Sequence, residues 1–248
     1  MRFTGTVLLF CTGIFAVSAA AQPASTPQPM TRTVVAASKL PNVVEVPLYF
    51  RALQLVLPAR ESSTLSTANG ILYQISGSSE VTIASETKML QAGEAFFVAA
   101  GQTASLKAAN DPSTMLHFLL TPDLDRNKRS VEVPISVKEL YRSMAPIPDL
   151  KAGTYDLNLT RITFPPHMPS NPPHHRSGAA LYYVLSGTGA NTIAGKTEAK
   201  GPDSFIYEPF GLVHQWGNAG DLPFTFLAFN INPEGVAAVV PVEPAKSK

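Results

Sequence analysis

The chain resembles itself at an offset of 110 residues, and this constrains its fold more than any other feature. The run "ILYQISG", ending at Gly77, lines up with "LYYVLSG", ending at Gly187. The same offset pairs Gly101 of "AAGQTA" with Gly211 of "EPFGLVH", and so sets Ala104 against His214. "HFLLTP" and "LAFNINP" then close the two halves alike. Between these landmarks lie short runs rich in Val, Ile, Phe and Tyr, such as "LQLVLP", "VTIAS", "EAFFVAA", "YDLNLTRITF" and "SFIYEP". Each is bounded by Gly, Asn, Ser or Pro, the pattern of strands joined by turns. An all-β unit of this size occurring twice points to two small barrels or double-sheet jelly rolls in tandem.

The remaining segments complete a domain map. Residues 1–21, "MRFTGTVLLFCTGIFAVSAAA", begin with Arg2, continue through an apolar stretch and end on small residues, the layout of a cleaved export signal. The stretch is too short for a convincing membrane span, and the expected location of the mature protein is periplasmic or secreted. Residues 22–42 read as a polar tail, 43–124 as the first β unit, 151–235 as the second and 236–248 as a closing tail. Residues 125–150 read as a linker with one short helix, "SVKELYRSM" from Ser136 to Met144, where Ser136 and Glu139 have capping-box spacing.

Composition narrows the chemistry. Cys11 is the only cysteine and falls in the expected signal, so the mature chain has neither disulfides nor thiolate ligands. Nineteen basic and eighteen acidic residues, with no Lys/Arg stripe, make nucleic acid and anionic membrane poor partners. His, carboxylates, Tyr and Ser remain as functional groups.

In the second half, "PFGLVHQWGN" matches P-x-G-x2-H-x3-N at Pro209, Gly211, His214 and Asn218. "ALYYVLSGTG" supplies the strand and Gly187 that end a companion motif, G-x5-H-x-H-x3,4-E-x6-G. On these residues the chain resembles a cupin, the second half in the manner of quercetin dioxygenases. The two halves together resemble a bicupin, two double-stranded β-helix barrels in tandem. The resemblance implies a divalent metal (Mn, Fe, Ni, Cu or Zn) held inside the barrel by two histidines, a glutamate and the second-motif histidine.

The first motif is incomplete. Counting back from Gly187 puts Ala180 at the glutamate position. Three intervening residues then place His174 and Arg176 at the H-x-H positions, whereas four place Pro173 and His175 there. The expected metal ligands are therefore His174, His175 and His214, with the cofactor either such a metal or none. His167 is a remoter ligand, and Glu208 a substitute carboxylate if it faces inward. Arg176, Tyr182 and Tyr207 are the expected ligand-binding residues: a guanidinium suits a carboxylate or phosphate, and Phe205 and Trp216 add aromatic walls. Asp203 stands where the second motif expects a glycine. In the first half Ala104 replaces the histidine, so that barrel is expected to hold no metal and to serve in packing; His117 reads as a core or surface histidine.

Three functions compete on this reading. One is an exported cupin that binds a small organic ligand, with oxygenase-like or Lewis-acid chemistry at a metal. The second is a non-catalytic binding or structural bicupin, associating with copies of itself through its barrels. The third is a metal-independent isomerase or lyase using His214 or His175 as base.

Overall fold

In a computed structural model, the structure describes residues 29–43, 47–66, 68–122 and 133–242. The expected export signal, with Cys11, lies outside them. The described residues form strands and no helix. In chain order these are β1 (Thr31–Val43), β2 (Leu48–Leu57), β3 (Ser62–Ser66), β4 (Asn69–Ser76), β5 (Ser78–Ile83), β6 (Glu86–Gln91), β7 (Ala95–Val98), β8 (Thr103–Ala108), β9 (Ser113–Pro122) and β10 (Ser136–Arg142). They continue with β11 (Gly153–Phe164), β12 (His174–Arg176), β13 (Ala179–Ser186), β14 (Gly189–Ile193), β15 (Lys196–Lys200), β16 (Phe205–Glu208), β17 (His214–Gly217), β18 (Phe224–Pro233) and β19 (Val239–Pro241).

Four sheets pair into two jelly rolls. The first is built from β10-β2-β9-β4-β7 and β3-β8-β5-β6, the second from β1-β11-β18-β13-β16 and β15-β14-β17-β12-β19. The offset of 110 is visible in the hydrogen-bond register. Ile83 pairs with Ala104 in the first barrel, and Ile193 pairs with His214 in the second. Gly77, Gly187, Gly101 and Gly211 all have positive φ, the turn conformation that a residue without Cβ adopts freely.

The large sheets are buried on both faces. Along β9, Leu116, Phe118 and Leu120 face the second barrel, whereas Met115 and Leu119 fill the interior of the first. Along β18, Leu227, Phe229 and Ile231 face the first barrel, and Phe224, Phe226 and Ala228 face inward. Alternation along a strand sends successive side chains to opposite faces, so one run of apolar residues serves two cores. Phe229 joins them, its ring centroid 5.5 Å from Phe50 and 5.6 Å from Phe118.

The edges depart from the sequence expectation. The helix expected over Ser136–Met144 is the strand β10, antiparallel to β2. The open edge of β2 offers a ladder of backbone hydrogen bonds, and this tertiary gain outweighs a weak local helix preference. Glu139 caps no helix; its carboxylate meets Arg51 Nε at 2.6 Å and Arg142 Nη2 at 2.7 Å. The segment expected as a polar tail contains β1, which adds to the second barrel by pairing with β11. The closing tail contains β19, paired with β12. Thus a strand that precedes the first barrel in sequence completes the second, and β10 from the linker completes the first.

Candidate functional site

The second barrel carries a buried polar cluster where the first is apolar. Its centre is Glu208, fully buried at the end of β16. On β16, Ile206 and Glu208 face the barrel interior while Phe205 and Tyr207 face the other barrel. Glu208 Oε1 accepts a hydrogen bond from Trp216 Nε1 at 2.9 Å. Glu208 Oε2 lies 3.4 Å from Arg176 Nε and 3.0 Å from His214 Nε2. The imidazole contact has the distance of an ion pair, but Nε2 is not aligned for a hydrogen bond. Arg176, 5% exposed, also donates through Nη2 to Tyr182 Oη.

β12 sorts its three residues by alternation: His174 and Arg176 are buried, and His175 between them is not. His174 is the cross-strand partner of His214, the ring centroids 4.3 Å apart. Each ring is fixed through Nδ1, His174 against Pro172 O at 2.9 Å and His214 against Leu212 O at 2.8 Å. A carbonyl only accepts, so Nδ1 carries the proton in both rings. Burial pushes the pKa of Glu208 up, yet His214 and Arg176 outweigh it and hold the carboxyl below its ordinary value. Burial lowers that of His174, with His214 and Arg176 adding to the effect. Tyr182 is pushed far up by burial and remains a neutral hydroxyl.

Other sequence-derived candidates separate. His175 Nδ1 turns to the backbone oxygen of Arg176, 3.2 Å away, so alternation along β12 removes it from the expected ligand set. Tyr207 lies between the barrels, its ring 5.9 Å from Phe50, and for the same reason does not share a face with Tyr182. His167 is exposed beside Asp221. Asn218, the last fixed position of the second motif, is a strut: Nδ2 donates to the backbone oxygens of Phe164, Pro165 and Leu222. His117 is buried in the first barrel without a partner for Nε2. The sequence pattern leaves out Arg32, because its segment reads as tail. It lines a cavity with Met30, His174, Arg176, Tyr182 and Trp216.

The donor set does not fit a resident divalent cation. Among the described residues no three His, Cys, Asp or Glu side chains converge as such an ion needs. His174 and His214 persist, but the second H-x-H place holds the Arg176 guanidinium, which engages Glu208 Oε2. Trp216 engages Oε1. A cation here would sit against a fixed positive charge, at a Coulomb cost that is large in a dry interior.

Residues 160–230 match the family model described as "Cupin domain". Among curated proteins none matches the sequence. Among solved structures, AerE from Microcystis aeruginosa is similar with a TM-score of 0.52 at 15% identity, covering 78% of this chain and 96% of that one. Lactobacillus farciminis oxalate decarboxylase in a formate complex gives 0.57 at 13%, covering 88% and 90%. Bacillus subtilis oxalate decarboxylase, described with Mn(II) centres, gives 0.55 at 16%, covering 88% and 80%. At these identities the likeness is one of fold.

Proposed function

We propose, for a chain that belongs by fold to the cupin superfamily, that the second barrel binds a small organic acid through Arg176. The observation that carries this reading is the charge balance of the cavity. Arg176 and Arg32 line it together with His174, while the nearest carboxylate, Glu208, is already engaged by Arg176 and His214. An anion supplies the missing negative charge, and a carboxylate matches the planar donors of a guanidinium. The cavity is small, which restricts the ligand to few heavy atoms, and a fold relative in complex with formate is consistent with that size. His214 and Glu208 lie 3.0 Å apart beside the site, so proton transfer to or from a bound acid is the chemistry this arrangement favours.

Titration calorimetry with formate, acetate, oxalate and pyruvate, alongside elemental analysis of the protein, tests the proposal. One saturable acid site per chain, lost in Arg176→Gln and partly kept in Arg176→Lys, is the expected result. Stoichiometric Mn, Fe, Ni, Cu or Zn with no acid binding would favour the metal reading instead. The N-terminal segment alone supports placing this activity outside the cytoplasm; mass spectrometry of exported protein is expected to show a chain starting near Gln22.

A further inference from the structure

The cavity is too small for an acid as it stands. The space open to water centres is ≈ 10 Å³, room for about one water molecule. An acid of several heavy atoms therefore enters only if part of the wall moves. Most of that wall is embedded in the barrel: Ile162, Phe164, Tyr182, Trp216 and Phe226 belong to its interior core. Asn171, in the connection before β12, is fixed by hydrogen bonds to Gln215 and Trp216; the remaining wall is the chain entering β1, which supplies Met30 and Arg32.

β1 is built unevenly along its length. It is the edge strand of its sheet, hydrogen-bonded only to β11. Its far end is anchored, with Leu40 5% and Val43 7% exposed in the core between the barrels. Its first four residues, Thr31 to Val34, are all exposed, Val34 to 61%. An irregularity in register separates the two parts, between Val34 and Ala36. Four residues paired on one side, lacking a buried apolar side chain of their own and set off by a bulge, belong to the least stable part of a structure.

Arg32 occupies this loose segment, opposite Ile162 in register. Among the described residues no carboxylate lies within ion-pair distance of it. Burial and the like charge of Arg176 both lower its pKa. Without an anion, the two guanidinium groups work against docking of the segment; with one between them, the repulsion becomes attraction.

We propose that Arg32 is the second anion-binding group of the site, and that Thr31–Val34 forms a gate that docks fully when the acid is bound. The proposal rests on the small-acid reading of Arg176. Hydrogen exchange and calorimetry on the whole protein, with oxalate as probe, test it. Saturating oxalate is expected to slow exchange of the Thr31–Val34 amides, while Leu40 and the β9 amides change little. Arg32→Gln is expected to weaken oxalate about tenfold, the loss of one charge-assisted contact, to abolish the exchange effect and not to lower the unliganded melting temperature. Arg32→Lys should recover part of the affinity. If oxalate binds, Arg176→Gln loses it, and Arg32→Gln behaves as wild type with unaltered β1 exchange, the gate is refuted and the acid site stands. If no acid binds wild type, both readings fall.

Discussion

Glu208 is the cross-strand partner of Ala180: the two residues face each other between β16 and β13. Ala180 occupies the motif position where the cupin glutamate is absent, and a carboxylate stands beside it on the next strand. Glu208 is held by Arg176 from the other altered position, so the two replacements form one internal ion pair.

Removing that carboxylate is expected to be costly. Glu208→Ala leaves Arg176 buried without its counter-charge and takes the acceptor from Trp216 Nε1. Unfolding in urea is expected to show a loss of about 3–5 kcal/mol. The double variant Arg176→Met with Glu208→Leu should lose less than the sum of its single variants, because it leaves no uncompensated charge.

Restoring the motif is expected to change what the barrel binds. Ala180→Glu alone sets two carboxylates on directly opposed positions, an unfavourable pairing, and should lower the melting temperature. With Arg176→His added, the guanidinium is gone, and His174, His214 and the introduced imidazole share the interior with both carboxylates. Calorimetry with Mn or Zn should then show binding tighter than in wild type, with a metal-dependent rise in melting temperature.

The first barrel should carry a pH-dependent weakness. His117 is 1% exposed, and burial, aided by the charge of Arg51, lowers its pKa to about 3. Well above its ordinary value of 6.5 it is neutral in both folded and unfolded chains and contributes no pH dependence. Below that, the unfolded chain takes up a proton that the folded chain refuses until about 3, so stability falls as pH falls across this window. The slope approaches about 1.4 kcal/mol per pH unit. Urea unfolding at about pH 7 and about pH 5, on either side of the unfolded-state titration, should show a smaller difference in His117→Leu than in wild type.

Strand exchange should make the halves dependent on each other. A fragment of residues 151–242 lacks β1 and exposes both the edge of β11 and the apolar face covered by the first barrel. It is expected to aggregate or to show a broadened thermal transition. Joining residues 29–43 to its N-terminus should restore part of the cooperativity, while the same addition to a fragment of residues 47–122 should not.

Fold class and repeat were both legible in the residues alone. Period-two alternation and turn glycines are local signals, and the offset of 110 survives as register because strand pairing fixes both faces at once. Motif spacing also marked His174, Arg176, Tyr182 and His214 as the residues to weigh. Which of them meet depended on how distant strands pair. The face on which His175 and Tyr207 lie follows from where each strand begins its alternation, which pairing partners set. "SVKELYR" became a strand because β2 had an open edge, and Arg32 entered the cavity because β1 crosses to the second barrel. Glu208 was legible as a substitute carboxylate, but its place next to Ala180, 28 positions away, came from the pairing of β13 with β16, which turns it inward.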